Sequence, residues 1–290
     1  MALDLAHFRT RQRSTPDWVI PNWLKRQNTG FIIGEPKKAC KSWLLLNMAV
    51  ALAHRLPLWG IEYSDGQPVF LGERPMRTVY FSQEDTEDDL DDRISLLLGA
   101  GLTDNDMVWV VPKDLHIRMD DPKGMEIIFK ELESVVEKSG PVDLVIFDPM
   151  RRMYYGNEND SLTIARMWRE IDTIHKAFNC SSIFSHHISK PPKDPRSMFD
   201  ATSPFSARGS TDIYGGGDAF INVVPGKRKG RTKKSRAVEL HFETKRSAPT
   251  DPVQLLVQFD TGFVNFDKFI TGRPGEESDE ESPKMSRFMM

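Results

Sequence analysis

The fold of this chain is decided by the stretch Gly34-Glu35-Pro36-Lys37-Lys38-Ala39-Cys40-Lys41-Ser42. It follows the apolar run Phe31-Ile32-Ile33, and the segment after it, from Trp43 to Ala53, has helical character. A strand, a glycine-led loop, Lys-Ser and a helix form the layout of a nucleoside-triphosphate-binding loop, in which backbone N–H groups and the helix N-terminus cradle phosphates. We therefore predict that residues 34–43 contact a nucleotide, with Lys41 on its β- and γ-phosphates and Ser42 on Mg²⁺.

The match to the usual loop, G-x-x-x-x-G-K-[ST], is imperfect. Gly34 lies seven residues before Lys41, and Cys40 stands where the second glycine is expected. The alternative is a chance Lys-Ser pair at the start of a helix. The rest of the chain favours the phosphate loop, because further residues suited to such a site follow later strands.

The composition is that of a globular α/β protein with strongly segregated charge. The 290 residues are 39% hydrophobic and include 17 Phe and 6 Trp, which is ample for one large domain. The net charge of −3 hides a basic run, Gly226 to Arg236, with seven Lys or Arg and no acid. Acids cluster instead at residues 86–92 and 276–281, with five in each segment.

Cysteine content and hydropathy bear on the compartment. The chain has 2 Cys, far apart, which give no disulfide framework and favour a reducing intracellular setting. No run approaches the roughly 18 apolar residues of a membrane span, and the N-terminus has no signal-peptide core. We therefore expect a soluble, cytoplasmic protein without a membrane partner.

Short apolar runs alternate with helical patterns over most of the chain. We predict strands at 77–82, 107–112, 142–148 and 181–185, and helices at 90–98, 124–138 and 161–178, the last with Ser161 as its N-cap. This alternation predicts an α/β fold with a mainly parallel sheet flanked by helices. From Asp218 the pattern changes, and short strands at 219–224, 237–244, 253–259 and 263–266 predict antiparallel additions at the C-terminal edge.

The chain divides into three parts on this reasoning. Residues 1–29 form an N-terminal approach segment, in which Trp18–Leu24 is expected to pack beside the nucleotide loop. Residues 30–270 form the α/β domain. Residues 271–290 are rich in Gly, Pro and acids, and we expect a disordered acidic tail.

Two carboxylates close strands of the predicted sheet. Asp148 ends an apolar run, and ligands bind at the carboxyl ends of strands in such sheets, so Asp148 can hold Mg²⁺ directly or through water. Glu84 ends the strand after the first helix and can orient the water that attacks the γ-phosphate. The alternatives are a turn-forming Asp148 and a merely solvated Glu84, since further acids follow it.

A histidine pair ends a third strand, as Ser185-His186-His187-Ile188-Ser189-Lys190. A metal site is one interpretation of the pair, but no Cys or acid lies at ligand spacing. A histidine that hydrogen-bonds the γ-phosphate and reports its loss agrees better with the other motifs.

Five motifs in this order resemble one family. They are Gly34–Ser42 with Trp43; Gln83-Glu84-Asp85 with Arg93; Phe147-Asp148-Pro149-Met150-Arg151-Arg152 with Glu158-Asn159-Asp160-Ser161; His186-His187 with Ser189-Lys190; and Ala207-Arg208-Gly209-Ser210. Together they resemble the RecA-like ATPases of the RepA-type hexameric replicative helicase family, over residues 15–270. The resemblance implies that Lys41 and Ser42 bind phosphate and Mg²⁺, Glu84 is the catalytic carboxylate, Asp148 the Walker B acid and His187 the γ-phosphate sensor.

The family works as a ring, with the nucleotide between subunits and a basic finger from the neighbour. At the position of that finger this chain has Asp218, which puts an identical finger in doubt. Lys245-Arg246, after a predicted strand, is a substitute known from related RecA-like motors. The alternative is a solvated turn.

Several basic segments suit single-stranded nucleic acid. The loops at 151–160 and 190–206 should face the ring channel, and the second combines basic residues with Phe199 and Phe205. The basic run lies in a predicted hairpin turn, where it serves either nucleic-acid contact or solubility. The predicted nucleic-acid contacts are Arg151, Arg152, Lys190, Lys193, Arg196, Lys227, Arg228, Lys229 and Arg231.

These features predict an ATP- and Mg²⁺-dependent ring helicase, hexameric in the family's manner, that moves on single-stranded DNA in a phage- or plasmid-like replicon. The alternatives are a recombinase or annealing ATPase that forms filaments on the same fold, and a regulatory or loader ATPase that is not a motor. The acidic tail is a candidate docking segment for replication proteins.

Overall fold

The short apolar runs of the sequence form the strands of a sheet. A computed structural model describes residues 17–98, 106–115, 117–190, 199–209, 211–227, 234–245 and 250–270. The strands are β1 (Trp18–Ile20), β2 (Leu24–Lys25), β3 (Thr29–Gly34), β4 (Thr78–Ser82), β5 (Val108–Val111), β6 (Leu144–Asp148), β7 (Ser181–His187), β8 (Ala219–Pro225), β9 (Ser235–Thr244), β10 (Val253–Gln258) and β11 (Val264–Phe269). The helices are α1 (Lys41–Ala53), α2 (Glu87–Leu98), α3 (Pro122–Ser139), α4 (Ser161–Phe178) and α5 (Asp212–Gly216), with 3-10 turns at Leu58–Gly60, Lys113–Leu115, Met150–Met153 and Pro204–Ser206.

The sheet has the architecture that the sequence predicts. Within the described residues, nine strands lie in the order β11-β10-β9-β8-β3-β7-β6-β4-β5, and β1 and β2 form a separate hairpin. The strands from β8 to β5 are parallel, whereas β9, β10 and β11 are antiparallel additions. The chain therefore has an α/β, RecA-like fold. We call the edge where the parallel strands end the carboxyl edge, and the opposite one the amino edge.

One strand of the predicted antiparallel group is parallel. The sequence pattern places residues 219–224 at the start of the antiparallel additions, but β8 pairs in parallel with β3, from Gly30 with Ala219 to Gly34 with Val223. The reason is burial, since residues 219–223 of β8 are buried, as expected for a strand inside a parallel sheet. The reversal occurs one strand later, between β8 and β9.

Alternate residues of the strands build a hydrophobic core on each face of the sheet. One core joins Ile32 to α1 through Leu44, Leu45 and Met48. The other joins Phe31 and Ile33 to the apolar faces of α3 and α4. A row of rings crosses five neighbouring strands in this second core, with centroids 4.9–5.7 Å apart: Phe81, Phe147, Phe184, Phe31 and Phe220.

The helices begin close to where the sequence places them. Helix α4 spans 161–178 as predicted, but its N-cap is Asp160, not Ser161. The Asp160 carboxylate accepts hydrogen bonds from the backbone N–H groups of Leu162 and Thr163, at 3.3 and 3.1 Å, and so satisfies two donors of the first turn. Within the described residues, no helix is long and apolar enough to cross a membrane.

The N-terminal hairpin lies at the amino edge, and our expectation that it packs beside the nucleotide loop is wrong. A side chain at Gly30, near the start of β3, would meet Trp23 at 3.1 Å and Leu24 at 3.5 Å. Arg26 extends this contact through an ion pair of 2.9 Å with Asp143, which precedes β6. The apolar hairpin residues are therefore buried at the start of β3, whereas the phosphate loop follows its other end.

Candidate nucleotide-binding and catalytic site

The loop between β3 and α1 has a backbone suited to phosphate binding despite its unusual sequence. A Cβ atom at Gly34 would lie 2.5 Å from the Ala39 Cβ and 2.8 Å from the Val223 carbonyl oxygen, so only glycine fits there. Lys37 and Cys40 are left-handed, with φ of 61° and 52°. Cys40 thus adopts, at the place of the missing glycine, a conformation that glycine takes at no steric cost.

The other residues of the loop divide into an exposed tip and a buried anchor. Pro36, Lys37 and Lys38 are exposed, and the Lys38 Nζ atom lies 2.8 Å from Glu35 Oε1. Ala39 is buried, and Ser42 is half-buried in the first turn of α1. Trp43 packs its ring against Phe259 and Arg93, so its predicted contact with the nucleotide stays a prediction.

Lys41 reaches from α1 across the loop to β3 and β7. Its Nζ atom donates to the Gly34 carbonyl at 3.0 Å and lies 3.3 Å from His187 Nδ1. Burial lowers the pKa of Lys41, against the opposing charges of Asp148 and Glu84. Burial, and then the charge of Lys41, also lower the pKa of His187, which favours a neutral ring that can accept the hydrogen bond.

Asp148 lies at the carboxyl edge with each carboxylate oxygen bound by a hydroxyl. The Tyr80 hydroxyl donates to Oδ2 at 2.6 Å, and the Ser185 hydroxyl donates to Oδ1. Burial, and then the charge of Asp148, raise the pKa of Tyr80 well above its usual value, so Tyr80 remains a neutral donor. Each carboxylate oxygen has a further lone pair, so the two hydroxyls orient Asp148 and leave it able to accept further bonds.

Glu84 and Asp85 follow β4, but they have different surroundings. Glu84 is about half exposed, and its Oε1 atom lies 3.3 Å from Arg152 Nε. The charge of Glu84 acts to raise the pKa of both Lys41 and His187, against the larger effect of burial. Asp85 is instead held by both terminal nitrogens of Arg93, at 2.6 and 3.0 Å. Glu84 is therefore the acid that can release its exposed partner, Arg152, and bind a reactant instead.

The two histidines have separate roles. His186 is buried, its Nε2–H donates to the Arg208 carbonyl at 2.5 Å, and burial lowers its pKa to about 4. The Arg208 backbone N–H donates in turn to the His187 carbonyl at 2.8 Å, and its guanidinium pairs with the buried Glu158. His186 thus anchors the segment around Arg208, and His187 alone of the pair contacts Lys41.

The predicted finger lies far from this site within one chain. Lys245 follows β9 at the amino edge, where its backbone N–H donates to the Asp218 carbonyl at 3.0 Å. Its Nζ atom donates to the carbonyls of Tyr214 and Gly215, at 2.5 and 2.8 Å. A role of Lys245 across a subunit interface stays a prediction, and Arg246 lies outside the described residues.

The predicted nucleic-acid residues that the structure describes all lie beyond the carboxyl edge. Arg151 and Arg152 follow β6, Lys190 follows β7 and Lys227 follows β8. Arg151 donates to the Tyr154 carbonyl at 3.1 Å, and Lys190 and Lys227 are exposed. The remaining residues lie outside the described part of the chain: Lys193, Arg196, Arg228, Lys229 and Arg231.

Sequence reasoning missed the residues that orient the site. Tyr80 and Ser185 bind Asp148 from the strands on either side of β6. A hydroxyl near the end of each flanking apolar run was the available signal. Arg236 contacts the phosphate loop from 196 residues or more along the chain, and no local pattern indicates that contact.

These residues fit a Mg²⁺–nucleotide. The glycine at position 34 leaves a cradle that a Cβ would fill, and Lys41 contacts two neutral acceptors where a phosphate would supply opposite charge. Mg²⁺ typically uses one or two protein ligands besides phosphates and water, and Ser42 and Asp148 would serve. Among the described residues, no group of three or more His, Cys, Asp and Glu is arranged to hold a metal on its own.

Fold and site together define a P-loop ATPase with a RecA-like core. Residues 1–193 match the family model of an AAA domain, AAA_25. The match covers more than half of the chain, and the protein belongs to this family of RecA-like P-loop ATPases, which is often found in phage and plasmid helicases. A search of curated proteins gave no match.

Proposed function

We propose that this ATPase is a ring-shaped DNA helicase that moves on single-stranded DNA in the replication of a phage- or plasmid-like replicon. The observation that carries the proposal is that the nucleotide site and three basic segments lie at the same edge of the sheet, the carboxyl edge. Strands β7 and β8, on either side of β3, and β6, next to β7, all end there and lead into Lys190, Lys227 and Arg151-Arg152. Single-stranded DNA bound along this edge would therefore lie close to the site of ATP hydrolysis.

Charge and contact support this arrangement. Arg152 has an exposed fraction of 56% and contacts Glu84, so one basic side chain touches both the proposed DNA path and the proposed catalytic carboxylate. Basic side chains that pair with phosphates give affinity without sequence preference, as translocation requires. The ring of Phe205, in the loop before β8, adds no stacking surface to this edge, because it packs on Tyr214 with centroids 4.2 Å apart, and Tyr214 contacts Lys245 at the amino edge.

The residues of the site have distinct tasks in this proposal. Lys41 and the loop backbone bind the phosphates, and Ser42 and Asp148 would hold Mg²⁺, which would neutralise charge on the phosphates. Tyr80 and Ser185 keep Asp148 in place. Glu84 orients and deprotonates the attacking water, and His187, hydrogen-bonded to Lys41, responds to the γ-phosphate.

ATP hydrolysis and strand separation test the proposal directly. We expect turnover of ATP to rise with oligo-dT and a forked duplex to be unwound with ATP. Electron microscopy with an ATP analogue and single-stranded DNA should show closed rings, because the finger of this family comes from the neighbouring subunit. Filaments would instead support a recombinase, and ATPase activity indifferent to DNA would support a loader or regulator.

Neutralisation of the basic run is expected to weaken DNA binding uniformly across sequences. The variant replaces Lys227, Arg228, Lys229 and Arg231 by Ala. The slope of log K against log salt should flatten by about 0.7 for each phosphate that the protein no longer binds. Fluorescence anisotropy with oligonucleotides at several salt concentrations measures it.

The control removes equal charge from exposed positions on α3 and α4, as Lys130, Lys138, Arg169 and Lys176 to Ala. These helices cover a face of the sheet, away from the proposed path, so the salt slope should stay that of the wild type. Equal slopes for all three proteins would assign the basic run to solubility.

Mixed subunits test the finger. We expect Lys245→Ala and Arg246→Ala to be impaired alone and to regain turnover when mixed with Glu84→Gln subunits, because a mixed interface can combine an intact finger with an intact carboxylate. ATPase rates of mixtures at several ratios measure this. Rates that simply average those of the two variants would place Lys245 and Arg246 in a role within their own subunit.

A further inference from the structure

Arg236 belongs by sequence to the basic run, but its side chain lies on the phosphate loop. It stands near the start of β9 and is half-buried. Its Nη1 atom donates to the Lys37 carbonyl and lies 3.7 Å from Cys40 Sγ, and its guanidinium lies 5.6 Å from the centroid of the Phe259 ring. Arg236 is therefore held between the loop and the antiparallel part of the sheet.

The two loop residues that Arg236 contacts are the two that carry strain. Lys37 and Cys40 both have positive φ, a conformation that costs energy for residues other than glycine. The usual loop has a glycine at the second of these positions. The guanidinium is always charged and presents several donors in a rigid plane, so it can hold both positions at once.

We propose that Arg236 is a positioning residue of the nucleotide site, which replaces the missing glycine by holding the phosphate loop in its binding conformation. Arg236 is also the last residue of the basic run, of which the structure describes Gly226, Lys227 and residues 234–236. Lys234, two residues earlier, pairs with Asp260 at 3.7 Å, and β9 pairs with β8, which leads into Lys227. Nucleic acid bound at Lys227 and Lys234 then changes the affinity for nucleotide through Arg236, a part of the inference that rests on the proposed function.

The first test measures the affinity for a fluorescent ATP analogue and the KM for ATP. Arg236→Ala should raise both the Kd and the KM about 10-fold, the effect of removing a charged hydrogen bond, with kcat at saturating ATP changed less than about threefold. Arg55→Ala is the matched control, because Arg55 also donates to a loop carbonyl, that of Gly72, but beyond the far end of α1. Arg236→Lys keeps the charge without the planar fork, so its Kd and KM should lie between those of the wild type and of Arg236→Ala. It replaces the alanine variant in the test if that variant does not fold.

A second background separates positioning from general damage. In Cys40→Gly the loop has the glycine of the usual motif, so Arg236→Ala should now change the nucleotide affinity by less than about threefold. The positioning role would be overturned if Arg236→Ala reduced the nucleotide affinity equally in the wild-type and Cys40→Gly backgrounds. It would also be overturned if Arg236→Ala and Arg55→Ala had the same nucleotide affinity.

The coupling is tested with oligo-dT. Saturating oligo-dT should change the nucleotide affinity of the wild type severalfold, and the nucleotide should change the oligo-dT affinity by the same factor. Arg236→Ala should remove most of this coupling, and an unchanged ratio of the affinities with and without oligo-dT would overturn the link between the basic run and the loop. Failure of the wild type to bind oligo-dT would refute the proposed function, whereas the nucleotide affinities would still decide the positioning role.

Discussion

Lys41→Ala is expected to lower ATP turnover by at least about 100-fold, the scale seen when one donor that stabilises transition-state charge is removed. The Lys41 ammonium is held at the centre of the site by the Gly34 carbonyl and His187. Burial penalises its charge, a cost that the negative charge of bound phosphates would offset. Release of inorganic phosphate at saturating ATP measures the effect.

The fold should tolerate the Lys41 change, since the apolar residues of α1 that build the core are untouched. Far-ultraviolet circular dichroism should therefore be that of the wild type. Lys130→Ala, an equal charge change at an exposed position of α3, serves as the control and should hydrolyse ATP normally. Undiminished binding and turnover in a folded Lys41→Ala protein would remove the phosphate-loop assignment.

Glu84→Gln is expected to bind ATP and to hydrolyse it at least ~10²-fold more slowly, the contribution of a positioned general base. The amide keeps the size of the side chain and can still contact Arg152, but it cannot accept the proton of the attacking water. A fluorescent ATP analogue and single-turnover hydrolysis separate binding from chemistry.

Asp85→Asn is the matched comparison for Glu84→Gln. The Asp85 carboxylate is bound by Arg93, so its loss should weaken a structural ion pair and lower the thermal midpoint of unfolding. The rate of hydrolysis should change little. A slow but stable Asp85→Asn protein beside a nearly normal Glu84→Gln protein would transfer the catalytic role to Asp85.

The features that sequence predicted are those that depend on local pattern. The sequence Phe31 to Ser42 places a buried strand, a turn and a helix in order, and these elements form as β3, the loop and α1. The carboxylate of Asp148 follows from the end of an apolar run, because strands buried on both faces end where polar residues begin. The same logic placed His187 and the boundaries of α4.

Several sequence predictions nevertheless needed correction. The pattern predicts an antiparallel β8 and an approach segment, Trp18–Leu24, that packs beside the phosphate loop, whereas β8 is parallel to β3 and the segment packs at the start of β3. In both cases the pattern of residues indicates that a segment is buried but not against which neighbour. Which neighbour a segment packs against depends on how the connections between strands cross the sheet, and the local hydrophobic pattern does not indicate this.

By itself, the sequence determined the order of strands and helices, the phosphate loop and the acid at the end of β6, because each is encoded within a few neighbouring residues. Only the tertiary structure decided which side chains complete the site. Tyr80 and Ser185 reach Asp148 from adjacent strands, and Arg236 reaches Lys37 and Cys40 from the far part of the chain. Such contacts join residues 37 to 199 positions apart, and they form because packing of the sheet brings those strands into register.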